Sequence, residues 1–229
     1  MKRISILLLI LVVPTALFAQ NWGDSAAYPV HATPFGMTYG DWQAAYLQWF
    51  FSVPASINPA VTAGADCNVA QSSGPVFYLP TWILSNTFTQ KCTVPASKNL
   101  LLFTLWWECS NIETPPSYGA NPQDMRACAA AAEDGVEVNT LKLTVDRHDM
   151  SALLREMRHQ SPYYDFTMPA TDNILGLDGV TSGSSVSDGY TVMLKPLSPG
   201  KHVIHFEGTC STGPGCPTSY AFTEYLTVQ

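Results

Sequence analysis

Glu108 closes the apolar run "NLLLFTLWW" and stands beside Cys109 in "LWWECS". A carboxyl at the end of such a run is partly desolvated, which raises its pKa towards the range of a general acid. Hydrolysis of a glycan or an ester would need a second carboxylate, for which Asp146, Asp149 and Asp165 are the candidates. Glycosidase carboxylates meet in space at about 5–10 Å, so spacing along the chain does not choose among them. The competing arrangement is a structural ion pair with Arg126 or Arg147, the more common fate of an acid at a strand end. A second grouping is aromatic. "YGDWQAAYLQWFFSVP" sets Trp42, Tyr46 and Trp49 at helical spacing. They could be a platform on which a sugar or an apolar ligand stacks, although aromatics in that pattern more often form core.

Other chemistries find little support. His202 and His205 in "KHVIHF" are three apart, so in a strand they point to opposite faces and do not chelate one ion. His202 then shares a face with Ile204 and Phe206, while His148 and His159 flank a short helical stretch and are expected to be exposed. There is no G-x-S-x-G, no S-x-x-K and no phosphate-cradling glycine loop. Asp172, Asn173 and Asp178 follow no calcium-loop spacing and read as a turn. "TSGSSVSDG" (Thr181–Gly189) reads as a flexible surface loop. No metal site and no cofactor is expected.

The compartment follows from both the N-terminus and the cysteines. Lys2 and Arg3, the apolar run Ile4–Val13 and Ala16–Ala19 make residues 1–19 a signal peptide, too short to span a bilayer. Of the 11 basic residues two lie in that segment, so the rest of the chain carries nine against 18 acidic, a net charge of −9. That balance argues against a nucleic-acid partner, and no membrane anchor is expected. Six cysteines in an exported chain favour three disulfides over zinc. Cys210–Cys216 encloses the turn-rich "STGPG", and Cys67–Cys92 and Cys109–Cys128 follow as nearest neighbours. The protein is expected in the periplasm or outside the cell, with a small molecule, a glycan or another protein as its partner.

These residues must be positioned by a mainly β fold. Thr38 and Asp41 form a capping box ahead of the aromatic helix, which Pro54 ends. Asn121, Pro122 and Asp124 open an alanine-rich helix that Gly135 terminates. Strands are expected at Pro75–Leu79, Lys91–Val94, Asn99–Trp107, Leu141–Arg147, Tyr163–Met168, Tyr190–Leu197, Lys201–Glu207 and Tyr220–Val228, with a short helix within Asp149–His159. The run Asn99–Trp107 lacks alternation and should be central and buried on both faces. The whole reads as an antiparallel β-sandwich, jelly-roll or Ig-like, with an N-terminal aromatic helix and an inserted Ala-rich helix. Residues 20–60 form the lead-in and the helix packing on the sandwich, and 61–229 form the sandwich domain.

The segments "YGDWQAAYLQWFFSVP", "GPVFYLP", "KCTVPASKNLLLF", "WECS" and "LKPLSPGKHVIHFEG" occur in that order over most of the chain after the signal. In them the chain resembles a family of bacterial exported proteins of uncharacterised activity. Its members run YG-x-W-S-A-x-W-W-Q-W, G-P-V-W-F-L, C-x-V-P-A-G-K-A-L-F-F, E-C-S and L-S-P-G-x-H-T-I-H-F. The chain departs from the pattern at Tyr46 and Leu47, where paired tryptophans are usual, and at Ser97, where glycine is usual. The resemblance implies no particular activity. Two functions follow from the residues: a disulfide-stapled β-sandwich with a binding or structural role in the cell envelope, or a secreted hydrolase that uses Glu108.

Overall fold

The computed structural model describes residues 26–81, 85–216 and 218–229. The segment read as a signal peptide lies outside the described residues. Helix α1 (Tyr39–Ser52) starts where the capping box requires. The Thr38 hydroxyl accepts from the Asp41 amide at 3.1 Å, and the Asp41 carboxylate accepts from the Thr38 amide at 2.9 Å. The chain continues through β1 (Val76–Leu79), β2 (Thr87–Val94), β3 (Asn99–Ser110) and α2 (Pro122–Glu133). It then forms β4 (Lys142–Val145), β5 (His148–Asp149), α3 (Ser151–Glu156), β6 (Arg158–Gln160) and β7 (Tyr164–Thr167). Three long strands close it: β8 (Ser182–Leu194), β9 (Gly200–Cys210) and β10 (Thr218–Val228).

Two five-stranded sheets result. In the first, β3 lies between β1 and β8, while β6 and β7 follow one another along the far edge of β8. The second runs β2-β10-β9-β4-β5. The architecture is a β-sandwich, but its ladders are mixed rather than all antiparallel, because β1–β3 and β2–β10 are parallel pairs. The chain passes from β1 to β2 in the other sheet and back to β3, and such a crossover is what a parallel pair needs.

Two local expectations change. The strand expected over Leu141–Arg147 ends at Val145, because Asp146 (φ 51°) and Arg147 (φ 71°) make a left-handed two-residue turn into β5. The serine run expected as a loop is the first half of β8, buried from Ser185 onward. Its hydroxyls find partners in the fold: Ser184 Oγ donates to the Asp165 carboxylate at 2.6 Å, and Ser187 Oγ donates to Gln43 Oε1 at 3.4 Å.

Helix α1 covers the outer face of the first sheet. Tyr46 meets Phe103 and Tyr78 at 5.5 and 5.9 Å between ring centres, Phe50 meets Trp106 at 5.6 Å, and Phe51 stacks on Phe166 at 4.1 Å. Gly40 permits this approach, since a Cβ there would stand 2.4 Å from the Gln160 carbonyl oxygen. Gln43, fully buried, fixes the helix to the sheet. Its amide nitrogen lies 2.9, 3.0 and 2.9 Å from the His159 carbonyl, the Gly189 carbonyl and the Thr191 hydroxyl. The disulfides are Cys67–Cys92, Cys109–Cys128 and Cys210–Cys216. Three such bridges belong to an oxidising environment. Among the described residues no helix is long and apolar enough to cross a membrane.

Candidate functional site

Strand β1 pairs only with Asn99–Leu102 of β3. Among the described residues no strand continues that edge beyond Leu102, until Ser110 meets the Ser117–Gly119 turn. Within this stretch the register of β3 on β8 shifts between Phe103 and Trp106. Gly189 accommodates the extra residue, for a Cβ there would lie 2.5 Å from the Leu105 carbonyl oxygen. The bulge also switches the phase of the strand. Phe103 and Trp106 now stack on the same face, at 5.3 Å, and Glu108 follows Trp106 on the α1 side. Trp107 and Cys109 face the other way, where Cys109 is bridged to Cys128 of α2.

A cleft of about 410 Å³ opens around this edge. Phe50 and Phe51 of α1, Trp106 and Trp107 of β3, and Tyr220 and Phe222 of β10 supply its aromatic walls, with the Pro214–Cys216 segment alongside. Three carboxyls line it: Glu108, Glu113 and Glu133. No Lys, Arg or His side chain lines it among the described residues.

Glu108 is only 7 % exposed. Burial raises its pKa well above the usual carboxylate value; the hydrogen-bonded Glu113 carboxyl beside it adds to the rise, and a bond from Ser185 Oγ opposes it. The Ser110 hydroxyl holds Glu113 at 2.8 Å, and Tyr164 stands next to Glu108 and Ser185. The expected arginine pairing is absent. Arg126 donates to Gln160 Oε1 and the Ser161 carbonyl at 2.6 and 3.2 Å, and Arg147 is exposed in the β4–β5 turn. The second acid is also not one of the three expected. Asp146 is bonded to His202 Nδ1 at 2.6 Å, Asp149 caps Ser151, and Asp165 lies on the exposed side of β7, opposite to Tyr164 and Phe166.

Glu133, 4 % exposed at the end of α2, is the third carboxyl. Burial pushes it up to about 8, helped by Asp188 and opposed by Arg158. Arg158 is itself engaged by Asp188 and Asp134, both at 2.9 Å. Neither Glu133 Oε2 nor Trp107 Nε1, both closed off from solvent, has a hydrogen-bond partner among the described residues. Glu113 sits in a loop without periodicity and gives no signal in the sequence. Glu133 does leave one, since it continues the buried stripe Met125, Ala129, Ala132 at helical spacing.

The aromatic helix contributes Phe50 and Phe51 to the cleft, not the three rings expected to stack a ligand. Trp42, Tyr46 and Trp49 are buried, and the indole N–H groups of Trp42 and Trp49 donate to the carbonyls of Pro34 and Val69, each at 3.0 Å. They are core. His159, expected to be exposed, is stacked on Tyr39 at 4.9 Å, and burial lowers its pKa. Asn173 closes a turn, accepting from the Leu177 amide at 3.0 Å. Among the described residues no three His, Cys, Asp or Glu side chains are placed to hold a metal ion.

No family model matches the chain, and no curated protein does. Among solved structures the chain is aligned with a cysteine protease inhibitor of Entamoeba histolytica, at 11 % identity over 63 % of this chain and 88 % of that one, with a TM-score of 0.21. It is also aligned with amebosin, at 11 % identity over 63 % and 99 %, with a TM-score of 0.18. Likeness at this level carries no argument about what the chain does.

Proposed function

We propose that the protein is an exported binding module of the cell envelope whose site is the cleft beside β3, between Phe50 and Phe51 of α1 and Tyr220 and Phe222 of β10. The observation that carries this reading is the combination of aromatic walls with two buried carboxyls, Glu108 and Glu133, in a lining that holds no basic side chain among the described residues. Concave, largely apolar sites with a few convergent polar groups are where small organic ligands are held. The three disulfides support export to an oxidising compartment. The pairing of Glu108 with Glu113 speaks for binding over glycan hydrolysis. Glycosidase carboxyls stand about 5–10 Å apart to admit the sugar and a water, and two hydrogen-bonded carboxyls leave no such space.

The test is a thermal-shift screen of the oxidised protein against oligosaccharides, calcium, zinc and small apolar or charged organic molecules. A ligand at about 100 times its Kd stabilises the folded state by about 2.7 kcal/mol. That raises the melting point by roughly 5–10 °C in a chain of this size. The reading expects at least one organic hit whose shift is lost in Trp106→Ala. A screen without hits, or hits that survive that substitution, overturns it.

A further inference from the structure

We infer that the outer face of the second sheet is a docking surface for an acidic polysaccharide, one that carries carboxylates on its sugar units. This face is separate from the cleft, because β10 turns Tyr220 and Phe222 towards the cleft and Tyr225 and Thr227 the other way. Helix α1 covers the first sheet, whereas on β2 the outward side chains Thr87, Thr89, Lys91 and Thr93 are all exposed. Charge is the first observation. Of the nine Lys and Arg side chains after residue 19, six have a partner within the fold. The three without one among the described residues are Lys91, Arg147 and Lys201, and all belong to this face or its rim. Lys91 stands opposite Tyr225, which stands opposite Val203. Lys201 faces Thr227 in the next row, and Arg147 follows Asp146, whose amide donates to the Val203 carbonyl at 2.8 Å. The acids around the face are engaged. Glu207 is held by Lys142 and His205 at 2.8 and 3.1 Å, and Asp146 by His202 at 2.6 Å. Asp149 accepts from the Ser151 amide at 2.8 Å, and Asp66, at the β2 edge, from Asn68 Nδ2 at 2.9 Å. In a chain whose net charge after residue 19 is −9, unpaired cations gathered on one face complement an anionic partner.

Two further observations choose a sugar polymer among anionic partners. Tyr225 is 46 % exposed and Val203 38 %, and as cross-strand neighbours they offer a ring and an apolar step to the C–H face of a sugar. Around them the exposed hydroxyls of Thr89, Thr93 and Thr227 have no partner among the described residues and can both donate to and accept from sugar hydroxyls. Sheet spacing sets Lys91 and Lys201 about 12 Å apart at the backbone with β10 between them, so a linear chain crossing the strands meets both. Three cations are few for the other anionic macromolecules. Anionic membranes recruit clusters of about 4–8 Lys and Arg, and a nucleic-acid interface makes on the order of 6–10 phosphate contacts. A polysaccharide needs fewer, because each unit adds an apolar face and hydroxyls to its charge.

The experiment is calorimetry on the oxidised wild-type protein with oligogalacturonate and with its methyl ester, which keeps the rings and hydroxyls and removes the charge. The inference expects the acid to bind about tenfold or more tightly than the ester, and to lose affinity as salt is raised. Tyr225→Ala and the double variant Lys91→Ala, Lys201→Ala should each weaken binding by about tenfold. All three side chains are exposed and without recorded partners, so an unchanged melting point confirms that the variants fold. Equal affinity for acid and ester, binding that survives both variants, or no binding of oligogalacturonate overturns the inference. Tighter binding of single-stranded DNA, or of vesicles of phosphatidylcholine and phosphatidylserine, overturns it as well and assigns the face to that class of partner.

Discussion

Replacing Glu133 with glutamine removes one ionisable group from the cleft at nearly constant shape, and its effect must depend on pH. The carboxyl is carried from 4.5 to about 8 by burial. At about 1.4 kcal/mol per pH unit, ionising it inside the fold costs on the order of 5 kcal/mol. The sign follows from proton counting. Between these two values the folded chain holds the proton and the unfolded chain does not, so stability falls as pH rises and is fully present only below about 4.5. Glu108 and Glu224, also raised by burial, slope the same way, and His159, held below its usual range, slopes the opposite way. These contributions are common to both proteins and cancel in the difference. Urea unfolding of the wild type and Glu133→Gln at about pH 5 and about pH 8.5 is the assay. The variant should gain on the wild type by several kcal/mol between the two, and at least about 2 kcal/mol after relaxation of the site. Parallel pH profiles would refute the placement of Glu133 as a buried, uncompensated acid.

Four further variants test the frame around the cleft. Gln43→Leu removes the buried amide that bonds the His159 and Gly189 carbonyls and the Thr191 hydroxyl and should cost on the order of 1–3 kcal/mol in urea unfolding, where an unchanged midpoint would contradict the helix anchor. Gly135→Ala puts a Cβ 1.7 Å from the Thr212 carbonyl oxygen. It should destabilise by more than about 2 kcal/mol and move the Cys210–Cys216 segment, read as changed hydrogen exchange there. Serine pairs in place of Cys67–Cys92 and Cys210–Cys216 open loops that the disulfides close across sequence separations of 25 and 6 residues. The chain-entropy argument gives losses of about 3.5 and about 2 kcal/mol, and the reverse ranking in melting experiments would count against it.

The elements most legible in the sequence are those written in local chemistry. Thr38 and Asp41 mark the start of α1, and Asn121 with Pro122 marks that of α2, because capping depends on residues three or four apart. The unbroken apolar run of β3 announces a strand covered on both faces. What stays hidden depends on distant partners. Ser182–Asp188 has the composition of a loop, yet it is held as strand by β3 on one edge and β7 on the other. The parallel pairs leave no trace in alternation, which is the same for either direction. Glu108 stands out from the sequence as an acid in apolar surroundings. Its partner Glu113 comes from a turn five residues on, and Glu133 reaches the cleft only through the packing of α2. The bulge opposite Gly189 decides which side Trp106 and Trp107 face, and no periodicity could foretell it.

The most direct test of the cleft as the binding site is the indole N–H region of a two-dimensional NMR spectrum of the oxidised protein, recorded during titration with the organic compound that gives the largest thermal shift. The N–H groups of Trp42 and Trp49 are bonded to backbone carbonyls in the core, and those of Trp106 and Trp107 belong to side chains that line the cleft. With the resonances assigned by substitution, those of Trp106 and Trp107 should shift on binding, while those of Trp42 and Trp49 stay. Shifts confined to Trp42 or Trp49, or a spectrum unchanged at saturating ligand, would contradict the account.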